Sequence, residues 1–308
     1  MASPPSAAHR ALVLLNVRSG TGSGGERREE IASLFAGVGI EAELVLAQSP
    51  EDFRAALERA RGAGTRLVVA GGGDGTQAAV AAELAGTDCV QGVLPLGTLN
   101  HFAKDLGIPL QLEDAVRTIA EGRPLQVDVG EVNGRVFINN SSLGLYPEIV
   151  RERELQREHL GKSKWRALAS ATLHATGRPH GLAVRIGSDA QEEEQVRRTP
   201  FVFIGNNRYT MEGLDIGARE SLQGGELALY CARRRGRLAL LQLALRALLG
   251  RLDQAEDFEA LTGEAFVIET REPRIRVATD GEVAMLETPL RYRIRPGALR
   301  VLVPAAAP

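Results

Sequence analysis

Between residues 67 and 82 the chain reads LVVAGGGDGTQAAVAA: a short β-branched run, four glycines, an aspartate, then an alanine-rich stretch. This order describes a strand, a tight loop and a helix. Gly71, Gly72, Gly73 and Gly75 carry no Cβ, so the backbone can take positive φ and an anion can come close to its N–H donors. A helix starting near Thr76 would aim its positive end at the same point. Such a loop suits a phosphate. Asp74 does not, unless a cation lies between carboxylate and phosphate, and so the loop points to a magnesium nucleotide rather than bare phosphate. A glycine-rich turn that merely connects strand to helix is the plainer alternative. The acid and the hydroxyl inside the loop, Asp74 and Thr76, weigh against it.

Two further polar loops follow apolar runs. Residues 11–17 (ALVLLNV) end in Asn16, Arg18, Ser19 and Gly20, and a strand over 90–96 leads into PLGTLNHFAKDLGIP at 95–109. In an open parallel sheet the carboxyl ends of the strands share one edge, where ligands bind, so loops 16–20, 71–76 and 97–100 are expected to converge. Thr98 and Asn100 would offer a hydroxyl and an amide to a nucleotide. Taken singly, they read equally well as an ST-turn and a helix N-cap before His101.

Positioning these loops requires alternating strands and helices. Residues 11–17 are nearly all apolar, as for a strand buried on both faces. Ile31, Leu34, Phe35 and Val38 fall on one helical face. Residues 40–47 alternate as a strand. Ser49-Pro50-Glu51-Asp52 opens a helix to about Arg61 with Phe53, Ala56, Leu57 and Ala60 inward. After the 95–109 loop, Leu112, Ala115, Val116 and Ile119 mark a helix that closes near Gly122. This order predicts a parallel sheet with helices on both faces.

The period then changes. Residues 125–132, Asn133-Gly134 and residues 135–139 form a hairpin with a type I′ turn. A mostly antiparallel β domain is expected from here, with strands over 182–186, 196–204, 226–231, 265–270 and 274–279, and SDAQEEEQ (188–195) as a solvated connection. The last run, 290–303, has Pro296-Gly297 at an expected turn and a candidate return to the first domain. Two helical insertions interrupt the β domain. Residues 151–176 suggest a surface helix packed on the sheet. Arg233, Arg234, Arg235 and Arg237 precede a nearly all-apolar helix over 238–249, which either buries in the core or lies in a membrane interface near anionic head groups.

A formal charge of −2 over 308 residues argues against a dedicated nucleic-acid binder. The two cysteines, Cys89 and Cys231, show neither disulfide nor zinc spacing, so a reducing cytoplasm is the expected location. The opening MASPPSAAHR lacks the pattern of a signal peptide and no stretch reaches the ~18 apolar residues of a spanning helix. Membrane contact is therefore expected to be peripheral.

GGGDGT (71–76), PLGTLNHFAKDLGIP (95–109), VDVG (127–130), NNSSLG (139–144) and DGE (280–282), in that order, resemble the diacylglycerol kinase catalytic-domain family, which includes bacterial lipid kinases and the sphingosine kinases. The resemblance implies an α/β N-terminal domain of NAD kinase and phosphofructokinase type, a C-terminal β-rich domain contributing the lipid site, and phosphoryl transfer from ATP to a lipid hydroxyl. It implies that Gly72, Gly73, Gly75 and Thr76 form the nucleotide phosphate loop, with Asp74 the carboxylate associated with Mg²⁺. Asn16, Ser19, Thr98 and Asn100 match flanking nucleotide contacts. Asp280 matches the general base and Glu282 its acidic neighbour, although on residues alone Asp280-Gly281 reads as a β-turn. If that segment were extended, Glu282 would share a face with Asp280 and orient it.

The nucleotide-binding domain is expected over 9–124, joined by 290–304, and the lipid-substrate domain over 125–289. Two positions depart from the family pattern. His101 stands where many relatives carry Asp in an acidic network with positions 74 and 128, and Gly224 stands where relatives carry the Asp of a structural Mg²⁺ loop. No structural metal is expected at Gly224. The substrate that follows is diacylglycerol or a related lipid; the alternatives are a soluble kinase of NAD kinase type and a catalytically silent nucleotide or lipid sensor.

Overall fold

The computed structural model describes residues 10–16, 24–47, 50–144, 182–188, 191–199, 201–210, 219, 221–232 and 258–305. Ser19 and the expected helices over 151–176 and 238–249 lie outside these residues. The chain divides into two compact units, Met1–Val129 with Gly297–Pro308, and Gly130–Pro296.

The first unit alternates as its sequence requires: β1 (Arg10–Asn16), α1 (Gly24–Gly37), β2 (Glu41–Ala47), α2 (Pro50–Gly62), β3 (Leu67–Gly72), α3 (Asp74–Leu84), β4 (Val90–Pro95), α4 (His101–Asp105), α5 (Leu112–Glu121) and the start of β5 (Arg123–Val132). The strands run parallel in the order β2-β1-β3-β4. The end of β16 (Leu290–Val303) joins in parallel beside β4, through Arg300 opposite Val90. The continuous apolar run of β1 is explained by its place, since Ala11 to Leu15 are buried between strands and helices. Outermost β2 alternates instead, leaving Leu46 exposed. Ile31 and Phe35 anchor α1, but Val38, expected on the same face, follows the helix end and is exposed.

The second unit holds β6 (Arg135–Phe137), β7 (Asn140–Gly144), β8 (Leu182–Ser188), β9 (Gln191–Thr199), β10 (Phe201–Asn206), β11 (Leu227–Ala232), β12 (Phe258–Gly263), β13 (Ala265–Thr270), β14 (Arg274–Thr279) and β15 (Glu282–Glu287). Asn133 and Gly134, at φ 45° and 83°, make the I′ turn between β5 and β6. A six-stranded antiparallel sheet runs β12-β11-β10-β7-β14-β15. Its Leu143, Val202, Ile204, Leu229 and Val277 pack against Ile186, Phe266, Ile268, Leu290 and Tyr292 of β8, β13 and β16, which makes a β sandwich.

Several expectations need correction. The strand expected over 196–204 is two, because a proline follows β9 and has no N–H for a ladder; β9 pairs with β8, and β10 with β7 and β11. Most of 188–195 belongs to β9 rather than to a connection, since an outermost strand tolerates a charged sequence. Pro296-Gly297 is no reversal: β16 runs on through it, with Gly297 at φ 59° and its N–H donated to Asp128 Oδ1 at 2.8 Å. The units part within β5 and β16, at 129/130 and 296/297, whereas the change of sequence period falls at 124/125. Periodicity marks where pairing changes, and contacts decide where a unit ends.

Candidate active site

At the carboxyl end of β3 the glycines are needed for close approach rather than for unusual dihedrals, as none of Gly71, Gly72, Gly73 and Gly75 has positive φ. A Cβ on Gly71 would stand 2.3 Å from Leu15 Cδ2, and one on Gly72 would stand 2.3 Å from Thr76 Oγ1. Gly97 of the next loop would bring a Cβ to 2.4 Å from Gly73 Cα, so the two loops meet glycine to glycine. Gly75 differs. A Cβ there meets nothing within 4 Å, and the protein's own packing does not require a glycine at that position.

The carboxyl end of β1 and the loops after β3 and β4 converge, while residues 17–20 lie outside the described residues. Asn16 Nδ2 donates to Thr76 Oγ1 at 3.2 Å, and the Phe102 N–H of α4 donates to Asp74 Oδ1 at 3.0 Å. Asp74 is thus the first residue of α3 and also holds the first turn of α4, a favourable place for a carboxylate. Gln77, which sequence reasoning passed over, is buried and donates through Nε2 to Ala70 O (2.9 Å) and Leu94 O (3.3 Å), locking the ends of β3 and β4 together. Its place in an alanine-rich helix was the only signal.

Asn100 is held by its own loop. It is buried in the left-handed region at φ 51°, Oδ1 accepts the Gly97 N–H at 3.0 Å, and Nδ2 donates to Pro95 O (3.2 Å) and Gly97 O (2.9 Å). The amide is thus bonded within its own loop, and Asn100 shapes that loop. Thr98 is exposed on that loop.

In the second unit, Asp280 and Gly281 (φ 49° and 88°) form the two-residue turn between β14 and β15. The side chain does more than turn. Its Oδ2 accepts the Ile138 N–H at 2.8 Å, and Oδ1 accepts those of Asn139 (2.8 Å) and Asn140 (3.1 Å). Loss of water outweighs the three N–H donors and the Arg219 charge, which favour the ionised form, and leaves this carboxyl raised to about 6. With three of roughly four lone-pair positions filled, one remains to receive a proton. Glu282 does not share its face by strand alternation, because two residues of positive φ intervene; it pairs across the turn with Thr279, is exposed, and lies 3.9 Å from Arg135 Nη2. Asn139 and Arg219 complete this cluster, and only the first lay in a segment singled out from sequence, NNSSLG.

Residues 10–132 match the family model described as diacylglycerol kinase catalytic domain, and residues 150–303 match that of the YegS C-terminal NAD kinase beta sandwich-like domain. A Pseudomonas aeruginosa protein named "Probable lipid kinase YegS-like" is 30% identical over 272 residues, 83% of each chain. The chain belongs to the diacylglycerol kinase catalytic-domain family. It is accordingly an ATP-dependent lipid kinase. A "Probable lipid kinase YegS" of Salmonella arizonae is 28% identical over 312 residues, covering 97% of both chains. The crystal structure of a diacylglycerol kinase from Bacillus anthracis str. Sterne superposes with a TM-score of 0.70 over 97% of this chain and 98% of its own, at 19% identity, and so shares the fold.

Within this kinase the two departures have a structural setting. His101 is exposed at the start of α4, while Asp128 is buried and holds Gly297. Among the described residues no group of three or more His, Cys, Asp or Glu side chains is placed to hold a metal. A single carboxylate still fits Mg²⁺ when nucleotide phosphates supply the other ligands. At Gly224 a Cβ would come to 2.7 Å from Asn207 Oδ1, so a larger residue there requires the buried Asn207 amide to move.

Proposed function

We propose that this kinase transfers the γ-phosphoryl group of magnesium ATP to a hydroxyl of diacylglycerol or a related lipid. The observation that carries the reading is the open space above Gly75 at the amino end of α3, beside the Asp74 carboxylate: a glycine that nothing in the protein requires, where a phosphate would lie. Gly72, Gly73, Gly75 and Thr76 form the phosphate loop, Asn16 and Thr98 border it, and Asp74 is the residue that would hold Mg²⁺, which neutralises phosphate charge when bound. The first unit is the nucleotide-binding domain and the second the lipid-substrate domain. Asp280 is the general base, taking the proton of the lipid hydroxyl as the bond to phosphorus forms, and Glu282 with Arg135 borders its turn. Substrate presentation is at a membrane surface by peripheral contact, in the cytoplasm.

Incubating the purified protein with γ-labelled ATP and a total lipid extract tests this. Label is expected in a lipid phosphate of the phosphatidic acid class. Label confined to a water-soluble product would favour a kinase of NAD kinase type instead, and ATP binding without transfer would favour a sensor.

A further inference from the structure

One peptide group in the second unit lies between two opposite charges. The peptide joining Ile138 to Asn139 donates its N–H to Asp280 Oδ1 at 2.8 Å, and its carbonyl oxygen accepts Arg219 Nη1 at 2.6 Å and Asn206 Nδ2 at 2.8 Å. Arg219 Nη2 also donates to Asn139 Oδ1 at 3.0 Å, and the guanidinium lies 5.6 Å from the centre of the Tyr209 ring. Tyr209 is itself fixed, through backbone bonds of 3.0 and 3.1 Å to the Tyr230 hydroxyl. The backbone on either side of the peptide is pinned as well: Asn206 N–H donates to Asn139 O and Asp280 N–H to Asn140 O, both at 2.9 Å. A cation on the carbonyl side polarises the peptide and strengthens its N–H as a donor to the carboxylate.

We propose that Arg219 is a positioning residue for Asp280, acting through the Ile138–Asn139 peptide to keep Asp280 an ionised carboxylate aligned with residues 138–140. The proposal rests on the reading of Asp280 as general base. A base that takes a proton in the reaction must enter it deprotonated, yet Asp280 sits where loss of water favours the neutral acid. Arg219 opposes that loss without touching the carboxylate, which leaves the remaining lone pair for substrate. Among the described residues the other charged groups near the turn are Glu282 and Arg135, exposed and offset against each other, and Arg219 is the charge that acts on Asp280. Its effect needs no direct ion pair, which would occupy the acceptor position that catalysis uses.

The test compares Arg219→Met, which keeps the long stem over Tyr209, with Arg219→Lys, which keeps the charge. The Asp280 carboxyl is titrated by NMR in carboxyl-labelled protein, and the acid limb of kcat/KM is measured on the same proteins between pH 5 and 9. In Arg219→Met both are expected to move upward by about one pH unit, while Arg219→Lys stays near wild type. A loss of melting temperature without a shift in the Asp280 titration would overturn the proposal and leave Arg219 a packing residue. So would an equal shift in the lysine variant. A shift in the titration but not in the acid limb would uphold the coupling and overturn Asp280 as the base, so the two failures are distinguishable. Should Arg219→Met fail to fold, Arg219→Gln, which can still donate to the Ile138 carbonyl but lacks the charge, is titrated in its place, and an Asp280 titration unmoved in that variant equally overturns the proposal.

Discussion

At the scale of single residues, the two acids differ in what a substitution removes. Asp74→Asn keeps an oxygen for the Phe102 N–H and removes the charge, so ATP affinity in the presence of Mg²⁺ is expected to fall while the melting temperature changes little; Asp74→Ala should cost about 1 kcal/mol more in stability through the lost hydrogen bond. Calorimetric titration with ATP, with and without Mg²⁺, alongside thermal melts, separates the two, and a collapse of stability in the asparagine variant would make Asp74 structural. Asp280 is less forgiving. Asparagine can keep Oδ1 facing Asn139 and Asn140, but then sets an NH₂ against the Ile138 N–H, which costs about 1–3 kcal/mol. Asp280→Asn is therefore expected to lower both stability and kcat, the latter by ~10²- to 10⁴-fold, and a variant that is merely less stable with wild-type kcat would reduce Asp280 to a turn. The pH dependence has a fixed sign. Because the folded carboxyl titrates about 6 against 3.8 in the unfolded chain, its contribution to stability is fully present below pH 3.8 and is lost as pH rises through 6. Melting curves of wild type and Asp280→Asn across pH 4–7 should show this component only in wild type, whereas activity rises over the same range as the base ionises.

Among the elements, the loop glycines divide into two kinds, and substitution can tell them apart. Gly97→Ala would press a Cβ onto Gly73 Cα at 2.4 Å and Asn100 Oδ1 at 2.8 Å, so the loops after β3 and β4 must separate, and both melting temperature and ATP affinity are expected to fall. Gly75→Ala meets no protein atom. Alanine also favours a helix over glycine by ~1 kcal/mol, so this variant should be as stable as wild type, or more so, and still bind ATP weakly. Unchanged affinity in Gly75→Ala, by equilibrium binding, would show that no phosphate occupies that space. Gln77 belongs to this level too, since its amide joins the ends of two strands and so sets the distance between the loops they carry.

For the whole molecule, the open question is how a kinase of lipids reaches them. No helix among the described residues is long and apolar enough to cross a membrane. Arg233, Arg234, Arg235 and Arg237, ahead of an apolar stretch, lie outside the described residues, and their pattern carries a prediction on its own. Replacing all four by Gln should weaken binding to vesicles containing anionic lipid, with the difference shrinking as salt rises from about 0.05 to 0.5 M because surface attraction is screened. Sedimentation of vesicles with bound protein measures it, and binding unaltered at low salt would mean that these arginines serve another purpose.

The alternating order of the first unit, the Asn133-Gly134 hairpin and the meeting of the end of β1 with the loops after β3 and β4 were legible in the sequence because each depends on local causes: hydrophobic period, turn chemistry and the rule that parallel strands point their carboxyl ends one way. Motif order likewise carried the family. What folding alone decided involves partners distant in sequence. Asn100 closes on its own loop because Gly97 and Pro95 come within reach of its amide. Glu282 leaves the face of Asp280 because two positive φ angles turn the chain between them. Arg219 carried no local signal at all, since the carbonyl it binds is 81 residues away, and the carboxylate beyond that peptide comes from a third segment. A side chain's role in such a cluster is set by which backbone groups the sandwich brings against it, and no spacing along the chain records that.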